Sequence, residues 1–147
     1  MKIFLIGLLL AISFSNCKKD DSNPNIPADG WRVGTNVYSY NHCGSGNNPL
    51  GAYLGAVSST SNLTIKFATL PTTNGTYSIV DNSSNVSANQ LSFNCRVGAD
   101  TYNSLTRSVS ATVTVANGII TVTIPETDVL SSNGITIMKC AATIHEK

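Results

Sequence analysis

His42 and Cys43, in the run Asn41-His42-Cys43-Gly44-Ser45-Gly46-Asn47, are the nearest approach to a catalytic pair in this 147-residue sequence. A thiol nucleophile needs a base within hydrogen-bond reach and usually a third group to orient that base. Neighbouring residues of an extended chain point to opposite faces, so direct adjacency works against this pair. The segment reads instead as a polar, Gly-rich loop carrying a structural Cys, and Gly44-Ser45-Gly46 lacks the G-x-S-x-G spacing of a nucleophile elbow. His42, Cys43, Cys95, Cys140 and His145 are zinc-donor types, but no C-x-x-C or H-x-x-x-H spacing gathers them. Glu126 and Asp128 share a strand face and offer oxygen donors suited to calcium, without the further oxygen-rich spacing such a site needs. The expectation is no catalytic residue, no metal and no cofactor.

The aromatic residues suggest recognition rather than catalysis. Trp31, Tyr38, Tyr40 and Tyr53 concentrate early in the chain, where exposed rings could stack on sugar faces. Tyr38 and Tyr40 lie two residues apart, hence on one face of a strand, which is the geometry of a small platform. The competing explanation is that these rings fill the core. Charge excludes other classes: nine Lys and Arg against eight Asp and Glu leave a net charge of +1, with only 12% of residues charged. A nucleic-acid binder displaces phosphate counterions with a clustered basic field, which is missing here. With 41% hydrophobic residues, an acidic disordered chain is excluded too. A non-enzymatic binding or accessory module for glycan or protein is the leading expectation. A thiol/His hydrolase built on His42 and Cys43, or an envelope inhibitor, is the alternative.

The N-terminus reads as an address. One Lys precedes an apolar run from Ile3 to Ile12, followed by small and polar residues to Asn16. That run is too short for a membrane-spanning helix, which takes about 20 residues, and has the pattern of a secretory signal. Ser13-Phe14-Ser15-Asn16-Cys17 resembles a bacterial lipobox, with Phe14 and Asn16 in place of the usual aliphatic and small residues. The resemblance implies that Cys17 becomes the lipidated first residue of the mature protein. The following Lys18-Lys19-Asp20-Asp21 resembles the lipoprotein export signal of Bacteroidota, which implies an outer-membrane lipoprotein facing the cell exterior. Residues 1–16 are therefore the expected signal peptide, 17–29 the lipidated Cys with a flexible Pro- and Asn-containing tether, and 30–147 the folded domain.

Within that domain the hydrophobic period is two. Arg107–Pro125 carries Asn117-Gly118, the favoured pair for a type I′ hairpin turn. Folding there sets Ala116 opposite Ile119 and Thr112 opposite Thr123. Ala111, Val113, Val115, Ile120, Val122 and Ile124 then share one face, and the threonines take the other. Leu63/Ile65/Phe67, Leu91/Phe93/Cys95/Val97 and Met138/Cys140/Ala142/Ile144 alternate in the same way, and Gly75–Val80 forms a further strand. Trp31–Tyr40 and Tyr53–Ser58 are strands of weaker parity. The expected fold is all-β, an antiparallel β-sandwich of about seven or eight strands, with a small closed β-barrel as the alternative and no helix beyond the cleaved signal.

Asn74-Gly75-Thr76-Tyr77, followed by the strand pair around VSATVTVANGIITVTI, resembles small outer-membrane lipoprotein domains of Bacteroidota without a characterised activity. That resemblance implies a lipid-anchored β-sandwich and carries over no catalytic residue. Parity turns both Cys95 and Cys140 inward, so an oxidising export route would favour a disulfide between them. Cys43–Cys140 is the second pairing, and three reduced core thiols are the competing state.

Overall fold

The computed structural model describes residues 28–49, 51–82 and 85–147. The expected signal peptide, Cys17 and the Lys18–Asp21 run lie outside the described residues. The Asn117-Gly118 hairpin forms as its turn chemistry requires. Strands β9 (Ser110–Ala116) and β10 (Ile119–Ser131) pair antiparallel, with Ala116 opposite Ile119 and Thr112 opposite Thr123. Asn117 and Gly118 take φ of 53° and 79°, the two positive values of a type I′ turn. Ala111, Val113, Ile120, Val122 and Ile124 are buried, whereas Thr112 and Thr114 are exposed.

β10 continues past Pro125, the last residue of the stretch in which the alternation is clearest. Its ladder with β11 (Ile137–His145) changes register between Ile124 and Thr127. Proline has no N–H to give a ladder, so a bulge is where a strand tolerates it. Beyond the bulge Thr127, Val129 and Ser131 turn inward.

β9 also pairs with β6 (Gly75–Ile79), which runs parallel to β7 (Gln90–Val97); β7 pairs with β8 (Asp100–Ser104), and β8 returns to β10. These five strands close a ring. The all-β architecture is thus the closed-barrel alternative, with outer strands added, rather than two separate sheets. On one side β7 continues to β5 (Ser61–Phe67), β4 (Gly51–Val57) and β3 (His42–Asn48). On the other, β10 continues through β11 to β1 (Gly30–Val33) and β2 (Asn36–Tyr38).

Eleven strands are present among the described residues, above the expected seven or eight: Trp31–Tyr40, expected as one strand, divides at Gly34 into β1 (Gly30–Val33) and β2 (Asn36–Tyr38), and two further strands carry little alternation. β3 was expected as a Gly-rich loop, yet all seven of its residues pair with β4. β8 shows no apolar alternation and has Ser104 as its fully buried residue. The Ser104 hydroxyl accepts from the Phe93 N–H at 3.0 Å and donates to the Val80 carbonyl at 2.7 Å. Burying that hydroxyl is tolerable because both of its roles are filled. One apolar cluster joins ring and outer strands, from Trp31 and Cys43 through Leu54 and Phe93 to Ile144.

A glycine-floored trough with one aromatic wall

The outer face of the β3–β4–β5–β7 sheet is built in cross-strand rows. Register places Gly44, Gly55, Thr64 and Asn94 side by side, flanked by the row Gly46, Tyr53, Lys66, Ser92 and by the row His42, Val57, Asn62, Arg96. Side chains two residues apart share a face, so Gly44 and Gly46 leave consecutive outward positions of β3 without side chains. The result is a trough of about 440 Å³ whose lining includes His42, Gly44, Tyr53, Gly55, Asn62 and Thr64. At Asn62 it adjoins a second hollow of about 360 Å³, formed by the Ser58–Ser61 turn, Arg96 and Gly98.

Tyr53 forms the aromatic wall, and the glycines decide its position. A Cβ on Gly46 would stand 2.9 Å from the Tyr53 Oη, so the ring lies over its cross-strand glycine. On the other side a Cβ on Gly55 would meet the ring edge at 3.8 Å, an ordinary contact. The ring packs over bare backbone, and the half-buried side chain keeps surface toward the trough. Asn62 and Thr64 add amide and hydroxyl groups to the lining, the Arg96 guanidinium borders the adjoining hollow, and no carboxylate lines the trough among the described residues.

Of the four rings in the expected ligand face, only Tyr53 reaches this trough. Trp31 is fully buried, and Tyr40 is 4% exposed. Tyr38 is half-buried and stacks on Trp31, its partner across the β1–β2 ladder, with ring centroids 6.0 Å apart. The Tyr38/Tyr40 platform therefore does not form. Tyr40 instead anchors a polar cluster at the chain's end. Its hydroxyl donates to Asp29 Oδ1 at 2.5 Å and accepts from the His145 N–H at 3.0 Å. His145 Nδ1 lies 3.0 Å from the same carboxylate, and the Lys147 ammonium sits 4.2 Å from the Tyr40 ring centroid. The hydrogen bond from Tyr40 holds the Asp29 carboxyl below its usual range. Burial, followed by the Asp29 bond, raises the Tyr40 phenol.

His42 and Cys43 point apart, as their adjacency implied. His42 is exposed at the mouth of the trough, and Cys43 is fully buried. Burial, assisted by Glu146, pushes the Cys43 thiol up to about 12. That is the opposite of the depressed value by which a thiol becomes a nucleophile. Among the described residues no three His, Cys, Asp or Glu side chains converge on a point where a metal could bind. Glu126 is paired with Arg32 at 2.6 Å, and Asp128 with Lys139 at 2.7 Å.

The trough floor was not anticipated from sequence. Its one local signal is the G-x-G spacing of Gly44 and Gly46, which acquires meaning only once those residues are seen to belong to a strand. No family model, no curated protein and no solved structure matches the chain.

Proposed function

We propose that this chain is a lipid-anchored envelope protein, displayed on the cell exterior, that binds glycan without catalysis through the trough beside Tyr53. The observation that carries the binding reading is the trough itself: a glycine floor, one aromatic wall and a border of amide and hydroxyl groups. A sugar ring offers an apolar C–H face to an aromatic and hydroxyls to amides, so these two kinds of surface side by side suit a polyhydroxylated chain. The trough is open and crosses several strands, which fits an extended ligand better than an enclosed small molecule. The anchor rests on Cys17 and the Lys18–Asp21 run, through their resemblance to the lipobox and export signal of Bacteroidota.

Affinity electrophoresis through gels containing xylan, β-glucan, mannan or soluble chitin derivatives tests the trough. At least one polysaccharide should retard the wild type, and Tyr53→Ala should then migrate unretarded while Thr112→Ala, on the β9–β10 hairpin, stays retarded. Absence of retardation by every polysaccharide, equal retardation of Tyr53→Ala, or release of reducing ends from the retarding polymer overturns the reading. The anchor is tested separately: radiolabelled palmitate should label the wild type and not Cys17→Ala, and equal labelling would refute lipidation.

A further inference from the structure

The four strands that carry the trough contain no Asp or Glu, and their Lys and Arg residues are Lys66 on β5 and Arg96 on β7. Register sets Lys66 directly across from Tyr53, where opposed side chains begin about 5 Å apart. Arg96 stands across from Asn62, at the border of the hollow beside the Ser58–Ser61 turn. It lies four residues along β7 from Ser92, the partner of Lys66, so the two Cα atoms are about 14 Å apart by strand rise and spacing. These are also the cations that the fold leaves unpaired. Among the described residues Arg32 bonds to Glu126, Arg107 and Lys139 share Asp128, and Lys147 lies 3.5 Å from Asp29, whereas Lys66 and Arg96 have no carboxylate partner. Asp100, the next acid along the chain, lies across from Val97 and so on the opposite parity from Arg96. Arg96 Nε donates to the Gly98 carbonyl at 3.1 Å, which steadies the exposed guanidinium and leaves its terminal nitrogens to solvent. The Gly98 N–H in turn donates to the Thr60 carbonyl at 3.0 Å, which holds the exposed Ser59 and Thr60 at the same hollow.

We propose that the ligand of this trough is an acidic polysaccharide, whose uronate carboxylates or sulfate esters are met by Lys66 and Arg96 at two points while a sugar ring rests on Tyr53. The proposal rests on the reading of the trough as a glycan site and adds the charge of the glycan. A face with two unpaired cations and no acid carries a positive local potential, which draws anions toward it. The terminal nitrogens of Arg96 offer the paired donors that a carboxylate or sulfate accepts. Side chains stand roughly perpendicular to a sheet, so the two charged ends stay apart and one small anion does not bridge them. Separate anionic groups on an extended chain match that spacing. A neutral polysaccharide keeps only the ring and the amide and hydroxyl contacts, and is held more weakly.

Two pairs of polymers provide the test. Methyl-esterified pectin and de-esterified polygalacturonate share a backbone with carboxylates masked or free, and dextran and dextran sulfate make the same comparison for sulfate. Affinity electrophoresis, with each mobility referred to a gel without polymer, gives the dissociation constants. At least one acidic polymer should bind the wild type more tightly than its neutral counterpart, and that binding should weaken as salt is raised; the pair that responds identifies the anionic group. Lys66→Gln and Arg96→Gln should each weaken it about 2- to 5-fold, the range of an exposed ion pair. Lys139→Gln, which removes an equal charge from β11, should leave it unchanged. Equal binding of the acidic and neutral polymers, no effect of either trough substitution, or an equal loss in Lys139→Gln overturns the acidic assignment. Where neutral polymers are still retarded through Tyr53, the glycan reading stands and the acidic assignment alone falls. An acidic polymer that retards Tyr53→Ala as it does the wild type, or no retardation by any polymer, removes both.

Discussion

Alanine at Gly118 and alanine at Gly30 should have distinguishable costs, because the two glycines are required for different physical reasons. Gly118, at φ 79°, has no heavy atom within 4 Å of where a Cβ would be. Its substitution therefore carries only the conformational penalty of a side chain in the left-handed region, about 1–2 kcal/mol. Gly30, at φ 150°, would place its Cβ 2.1 Å from the Tyr38 carbonyl oxygen, with the Tyr38 carbonyl carbon at 3.1 Å. Neither atom is the free end of a flexible side chain. The β1–β2 ladder, in which Trp31 faces Tyr38, would have to move, adding an overpacking cost of about 1–3 kcal/mol. The totals are about 1–2 kcal/mol for Gly118→Ala and about 2–5 kcal/mol for Gly30→Ala. Urea unfolding followed by far-UV circular dichroism, with the slope m checked for constancy, separates these ranges. Gly30→Ala should also loosen the Trp31–Tyr38 stack and alter the near-UV signal of the indole, which Gly118→Ala should leave unchanged. Equal destabilisation by the two variants, or a perturbed indole signal in Gly118→Ala alone, would refute the reasoning.

Two further expectations follow from burial and charge. Val113→Asp puts a carboxylate into the core and should cost about 3–5 kcal/mol, whereas Thr112→Asp, on the exposed face of the same strand, should cost less than about 1 kcal/mol; equal losses in a urea titration would reverse the face assignment. Asp29 is held below its usual range by the Tyr40 hydrogen bond, so its stabilisation is present above the unfolded carboxylate value of about 4 and is lost as pH falls through the lower folded value. Asp29→Asn should accordingly lower the melting temperature at pH 7 and approach the wild type at pH 3; a gap that widens in acid would show that the Asp29 contacts are not the stabilising ones.

The parts of the fold legible in the sequence are those where two independent local signals agree. In the β9–β10 hairpin, Asn117-Gly118 sets the turn and the alternation of Val113, Val122 and Ile124 sets the faces, so a one-residue slip is disfavoured twice over. β3 was illegible because its outward positions are two glycines, His42 and Asn48, while Cys43 is its only buried residue. No alternation survives such a composition, and pairing with the well-patterned β4 imposes the strand from outside. The rings mislead for another reason. Parity puts Tyr38 and Tyr40 on one face but cannot say what covers it. Tyr40 is covered through contacts with His145, 105 residues away in sequence, and Trp31 is stacked by its own hairpin partner. Closure of the ring depends on β8, whose pairing with both β7 and β10 has no counterpart in local pattern.

The glycines of β3 answer two demands at once, and this ties the proposed site to the topology. β3 and β2 end the sheet path, and an uncovered edge strand invites pairing with another chain. In β3 the edge is blunted by composition, since Gly and Asn are poor strand formers. At one end it is also covered by the chain's own C-terminus, where the Lys147 N–H donates to the Cys43 carbonyl at 3.1 Å. A larger, β-branched residue at Gly44 or Gly46 would favour the strand but would fill the trough floor or collide with Tyr53. Strand strength at this edge and access to the Tyr53 ring therefore oppose each other. Glycine at both positions leaves the ring accessible, and beneath it β4 and β5 bury Leu54, Ala56, Leu63 and Ile65 fully.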